Sequence, residues 1–258
     1  MKVDLRKSLF ILPNLFTLSS VLCGYYAILI CATQPDSTDF YRAALLIIFA
    51  LFFDTIDGRV ARLTKTQSAI GVQLDSLADV ISFGVAPSIL VYQWSLHELG
   101  TAGIAVGFIF VGCGAIRLAR FNVTTTSEDG RPMRPGKYIQ GLPIPAAAAV
   151  LISLVVANTL TGQLPFTPVI LSVLTLLLAL CMVSTIPFRS FKDLRLSWRS
   201  ALFIAVALGS TALIAFRYHP SLAFVWLLSA YLVIGILEGL FTWMTKTRSD
   251  ADEEAGPA

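Results

Sequence analysis

The stretch AALLIIFALFFDTIDGRVARLTKTQSAIGVQLDSLAD, from Ala43 to Asp79, decides the fold. It opens with a continuous apolar run, Ala43–Phe53, and closes with four aspartates. Continuous apolar runs of about 20 residues cross a bilayer as helices, whereas β-barrel strands alternate over short segments. Similar runs recur along the chain and predict spans at 12–32, 40–58, 76–95, 101–119, 142–160, 167–187, 200–216 and 222–244. Composition agrees. Hydrophobic residues make up 56% of the 258 residues and charged residues 14%, and the mean hydropathy is +0.76. A soluble globule carries about 45–50% apolar and about 25% charged residues. Such low charge also excludes a disordered chain. The four cysteines, Cys23, Cys31, Cys113 and Cys181, lie scattered in apolar runs, which excludes a disulfide scaffold. A net charge of +3 is too small a bias to argue for a nucleic-acid partner. The fold class is an all-α polytopic membrane helix bundle with about eight transmembrane helices.

Lys and Arg concentrate in cytoplasmic loops of membrane proteins. With the N-terminus placed in the cytoplasm, 17 of the 19 basic residues fall on the inner side, leaving Arg42 and Arg217 outside. Both termini are therefore expected to be cytoplasmic. The whole chain, 1–258, reads as one integral membrane domain. Residues 1–11 mix charge and bulky apolar groups in the manner of an interfacial helix. The first apolar run exceeds the length of a cleaved signal and is not followed by a small-x-small site. Residues 248–258 are polar and acidic, as in a disordered tail. The one long loop, Asn122–Gln140, is expected on the cytoplasmic side. No internal repeat is visible, which argues against an inverted-repeat transporter.

Charged residues in or beside a span are costly, so acids there point to function. Asp54 and Asp57 are spaced i,i+3, and Asp75 and Asp79 i,i+4, so each pair shares one helix face. At ~100° per residue, Gly58, Ala61 and Arg62 fall beside the first pair, and Gly71 and Ser82 beside the second. The short connection makes the two helices antiparallel neighbours, and the carboxylates converge at the membrane surface. Four like charges would repel unless a cation neutralised them. Hard carboxylate oxygens suit Mg²⁺ or Mn²⁺, with room left for substrate phosphates. Gly58, Ala61 and Gly71 leave space for a phosphate, and Arg62 supplies a fixed positive charge. The plainer alternative is that these acids pair with Arg59, Arg62 and Lys65. A cation transporter, the rival of another class, would carry its acids near the bilayer midplane.

The pattern D-x2-D-G-x2-A-R-x8-G-x3-D-x3-D, spanning Asp54 to Asp79, resembles the signature of the CDP-alcohol phosphatidyltransferase family, with every fixed position present. The resemblance implies that Asp54, Asp57 and Asp75 bind metal, and that Asp79 is both ligand and general base. It further implies a pair of Mg²⁺ or Mn²⁺ ions and a six-helix catalytic core over 12–187, with two additional helices over 200–244. Gly58, Ala61, Arg62, Ser68 and Gly71 would hold the CDP portion of a CDP-diacylglycerol donor. Asn14 and Thr17, in the family-like Pro13-Asn14-x-x-Thr17, would line the nucleotide site, although polar residues at a helix end need no special reason. A homodimer in a bacterial inner membrane, with the active site facing the cytoplasm, is also expected by resemblance.

Three further motifs bear on the acceptor: Ser82-Phe83-Gly84-Val85-Ala86-Pro87, Arg117-Leu118-Ala119-Arg120-Phe121-Asn122 and Gln140-Gly141-Leu142-Pro143-Ile144-Pro145. They resemble the branch of that family that uses L-serine and forms phosphatidylserine. On that resemblance Ser82, Arg117, Arg120, Asn122 and Gln140 would contact serine. Arg117 and Arg120 are spaced i,i+3 and form a guanidinium pair suited to a carboxylate or a phosphate. By charge alone, the pair serves serine, glycerol 3-phosphate or an inositol phosphate, or simply anchors the helix. His97 and His219 fall at predicted outer loops, away from the acids.

Overall fold

The apolar runs fold as helices, and local signals punctuate them. The structure is a computed structural model describing residues 5–64, 66, 68–125, 138–162, 167–185, 187–189 and 211. Among the described residues, the first of two units contains seven α-helices: α1 (Leu5–Ala32), α2 (Ser37–Thr64), α3 (Ala69–Asp79), α4 (Ala86–Trp94), α5 (Thr101–Thr125), α6 (Ile144–Thr161) and α7 (Pro168–Val183). Asp36 opens α2 by accepting a bond from the Asp39 amide at 2.8 Å, and the Asp39 carboxylate reaches back to the Asp36 amide at 3.4 Å, a reciprocal cap. Ser68 caps α3, accepting from the Gly71 amide at 3.0 Å. Gly162, at φ 61°, closes α6 in the left-handed region that glycine adopts without strain.

α3 and α4 join through one π-helical turn, Val80–Val85, and run as a single rod, Ala69–Trp94. Pro87 is the physical reason. It has no amide to donate, and its ring crowds the carbonyl four residues back. The widened turn, in which the Ala86 amide reaches Ile81, relieves that crowding directly after Asp79.

Among the described residues, four helical stretches are long and apolar enough to cross a membrane: Leu12–Ala32, Ala69–Trp94, Thr101–Thr124 and Ile144–Thr161. α2 is 28 residues long, like α1, but Arg42, Asp54, Asp57 and Arg59 interrupt its apolar character. α7 is apolar and shorter, 16 residues. The third helix starts at Ala69, several residues before the expected 76, because Ser68 caps it there. Residues 5–11 are helical and continuous with the first span, since α1 runs unbroken from Leu5 through Pro13. The expected spans 200–216 and 222–244, apart from Thr211, and the tail 248–258 lie outside the described residues.

Small residues set the packing. Ala43, Ile47 and Ala50 form a fully buried stripe on α2, and Ala147, Ala148 and Leu151 do the same on α6. Gly24 of α1 lies against Ser82, Gly107 of α5 against Ser88, and Gly114 of α5 against Ile144. Such close approach is how helices associate where lipid removes the hydrophobic drive. Leu15, Leu18, Leu22 and Leu29 of α1 and Phe49 and Phe52 of α2 face outward, as lipid-facing side chains do.

In the second unit, the described residues include a small antiparallel ribbon of β1 (Tyr138–Gln140) and β2 (Pro187–Arg189). Tyr138 pairs with Arg189, and Gln140 with Pro187. This ribbon is the one departure from helix among the described elements.

Candidate active site

The acids meet where α2 and the α3–α4 rod face one another. One carboxylate oxygen each from Asp54, Asp57 and Asp75 lies within 4.8 Å of the others. An octahedral Mg²⁺ with bonds of about 2.1 Å spreads its ligand oxygens across at most about 4.2 Å. Three oxygens on one such ion include at least two adjacent pairs, about 3.0 Å apart, so the side chains draw in by up to about 1.8 Å to share it. Asp79 completes the group: it is 9% exposed, and its side chain is within hydrogen-bonding reach of Asp54. Its Oδ1 is buried with no hydrogen-bond partner. A buried carboxylate oxygen left unpaired is costly, and a metal ion or a substrate hydroxyl would remove that cost. The plainer alternative fares worse. Among the described residues no ion pair joins these acids to Arg59 or Arg62, and the ion pair found, Arg42–Asp39 at 3.3 Å, lies at the opposite end of α2.

Asn14 and Thr17, both on α1, come to the same place. Thr17 donates to Asp57 Oδ2 at 2.7 Å. A Cβ built on Gly71 would lie 3.6 Å from Asn14 Oδ1 and 3.1 Å from Ser68 Oγ, so Asn14 and Ser68 stand close around Gly71. Gly58 lies under Arg62, whose Nη2 is 3.9 Å from the position a Gly58 Cβ would take. Ala61, one turn after Gly58 and next to Arg62, is half-buried. Asp54 thus lies beside Asp57, and Gly58 beside Arg62, as their helical spacing predicts.

The expected acceptor residues separate. Arg117 is 8% exposed, its Nε has no hydrogen-bond partner, and its charge acts on Asp79. The Phe121 ring lies 6.0 Å from its guanidinium. Arg120 turns away and donates from Nη1 to the Val183 carbonyl at 3.0 Å, closing the C-terminal end of α7. The i,i+3 pair therefore does not act as one fork. Ser82 is fully buried and donates to the Ser20 carbonyl at 3.0 Å, so its hydroxyl is engaged in holding α1. Beyond Asp79 the π-helical turn shifts the register, and the arithmetic that set Ser82 beside the acids no longer applies. Asn122 donates to Ser76 Oγ at 2.9 Å and to Gln73 Oε1 at 3.3 Å. Gln140 stands on β1, in the second unit.

Gln73 and Ser76 were not singled out from the sequence. Their i,i+3 spacing, on the face of α3 adjoining Asp75 and Asp79, is the signal that would have found them. They tie α3 to α5 beside the acids. His97 is far off, on the short turn Leu96–Leu99 at the other end of the α3–α4 rod.

The sequence is similar to known proteins. The family model for CDP-alcohol phosphatidyltransferases matches residues 10–186. A Helicobacter pylori protein named CDP-diacylglycerol–serine O-phosphatidyltransferase is 40% identical over 237 residues, covering 90% of this chain and 92% of that protein. A Bacillus subtilis protein of the same name is 33% identical over 181 residues, covering 70% and 91%. An archaetidylserine synthase from Methanothermobacter thermautotrophicus is 40% identical over 144 residues, covering 55% and 56%. The matched segment contains all four converging aspartates together with Asn14, Thr17 and Arg117, so the chain is a member of the CDP-alcohol phosphatidyltransferase family.

Proposed function

We propose that this protein transfers the phosphatidyl group of CDP-diacylglycerol to the hydroxyl of L-serine, giving phosphatidylserine and CMP. The observation that carries this reading is the convergence of Asp54, Asp57 and Asp75 with Asp79 buried beside them, in a chain similar along most of its length to serine-using relatives. The donor's acyl chains stay in the bilayer. Its pyrophosphate lies against Gly58 and Arg62 and near the N-terminus of α3 at Ser68 and Gly71, whose positive end favours an anion, with the cytidine toward Asn14. Asp54, Asp57 and Asp75 hold Mg²⁺ or Mn²⁺, which when bound neutralises charge on the pyrophosphate and on the CMP leaving group. Asp79 accepts the proton from the serine hydroxyl. The oxygen attacks the phosphorus nearest diacylglycerol, and the bond from that phosphorus to CMP breaks. Arg117, buried and with Nε free of a partner, binds the serine carboxylate. Seventeen of the 19 basic residues on one side support a cytoplasm-facing site at the inner membrane.

The test uses purified full-length protein with CDP-diacylglycerol, Mn²⁺ or Mg²⁺, and labelled serine, glycerol 3-phosphate or inositol phosphate in parallel. Labelled lipid is expected from serine. Product from glycerol 3-phosphate alone would refute the acceptor, and no lipid product from any of them would refute the transferase reading. Asp79→Asn should abolish turnover while leaving a folded protein, and undiminished turnover would remove Asp79 as the base.

A further inference from the structure

We propose that Thr17 is a positioning residue for Asp57, aiming that carboxylate at the metal, rather than a contact for the nucleotide. The proposal rests on the reading of Asp57 as a metal ligand. Thr17 lies on α1 and Asp57 on α2, 40 residues apart in sequence, and both are buried. The hydroxyl stands 2.7 Å from Asp57 Oδ2 and 3.1 Å from the Pro13 carbonyl. It has one proton to give. The Pro13 carbonyl, four residues back in a continuous helix, already receives the Thr17 amide. A bond to a carboxylate is the stronger of the two, and the shorter distance agrees. The proton therefore goes to Asp57.

This bond fixes the rotation of the Asp57 side chain and leaves Oδ1 clear of it. A carboxylate held by one oxygen presents the other in a set orientation, the way outer-shell partners orient metal ligands. A hydroxyl committed in this way has no proton left for a phosphate or a cytosine. Asn14, one turn earlier and beside Gly71, is free of that engagement and remains the α1 residue placed to meet the nucleotide.

The experiment is a Mn²⁺ titration of the purified full-length protein, followed by electron paramagnetic resonance without lipid substrate. Thr17→Val keeps the shape and removes the donor, and Thr17→Ser keeps the donor and removes the methyl. Thr17→Val is expected to weaken Mn²⁺ binding by about 10- to 100-fold, and Thr17→Ser to leave it at the wild-type level. Saturating Mn²⁺ should return the kcat of Thr17→Val to near wild type, with the KM for CDP-diacylglycerol unchanged. Wild-type Mn²⁺ affinity in Thr17→Val would overturn the proposal, as would a raised KM for CDP-diacylglycerol at saturating Mn²⁺. Should Thr17→Val fail to elute as a folded species, Thr17→Cys, a weak donor of similar shape, is expected to fall between Val and Ser, and wild-type affinity in it would overturn the proposal. Asp57→Asn separates the two readings. Its loss of Mn²⁺ binding, with Thr17→Val unaffected, refutes Thr17 alone, and its retention of binding refutes the metal-ligand reading itself.

Discussion

Replacing Gly24 with alanine tests how tightly α1 is held against the turn that follows Asp79. A Cβ at Gly24 would lie 2.8 Å from Ser82 Cα, 2.9 Å from Ser82 Oγ and 3.1 Å from Ser82 Cβ, where ordinary contact begins at 3.4 Å. The closest of these atoms is backbone and cannot swing aside, so the two helices must part by 3.4 − 2.8 = 0.6 Å. Overpacking of this kind costs about 1–3 kcal/mol. The Ser82–Ser20 bond, strained by the same movement, adds about 1 kcal/mol. Alanine's better helix propensity returns at most about 1 kcal/mol. The expected balance is a loss of roughly 1–3 kcal/mol. Ser82 lies three residues after Asp79, so part of the displacement reaches that carboxylate. A misplacement near 1 Å can cost about 100-fold in rate, and 0.6 Å suggests about tenfold. The assay is thermal unfolding in one detergent, with labelled-serine turnover on the same preparation. Gly112→Ala is the control, because a Cβ there meets nothing within 4 Å. If Gly24→Ala unfolds at or above the wild-type temperature with wild-type turnover, the close-packing argument is refuted.

The two arginines of α5 should behave differently although they are spaced i,i+3. Arg117→Lys keeps the charge but loses the fork, and its KM for serine is expected to rise about 10- to 100-fold, matching a charge-assisted bond of about 1.5–3 kcal/mol. Arg120→Gln should lower stability by about 1 kcal/mol through the lost Val183 contact, with the KM for serine unchanged. Equal KM effects in both variants would contradict the separation of their roles. Ser82→Ala is expected to cost about 1 kcal/mol in unfolding and to leave the KM for serine unaltered. A raised KM there would return Ser82 to the acceptor site.

The sequence by itself determined the helices and the chemistry at their ends. Apolar runs must satisfy their own backbone hydrogen bonds in lipid, so each run reads as a helix. Spacings within one helix survive folding because they depend only on its pitch. Asp54 with Asp57, Asp75 with Asp79, and Gly58 with Arg62 all keep their shared faces for that reason. Local caps survive too, but were read less well: Ser68 starts α3 earlier than hydropathy suggested, because a cap answers to single hydrogen bonds and not to an average. The tertiary structure alone decided which partner each side chain meets. Helix rotation, crossing and the π-helical turn after Asp79 have no signature in a 3.6-residue period. Those choices give the Thr17 hydroxyl to Asp57, send Arg120 to α7 while Arg117 stays by Asp79, and commit Ser82 to α1. A pattern along one helix names the residues on a face, and the packing of the neighbouring helices determines what that face touches.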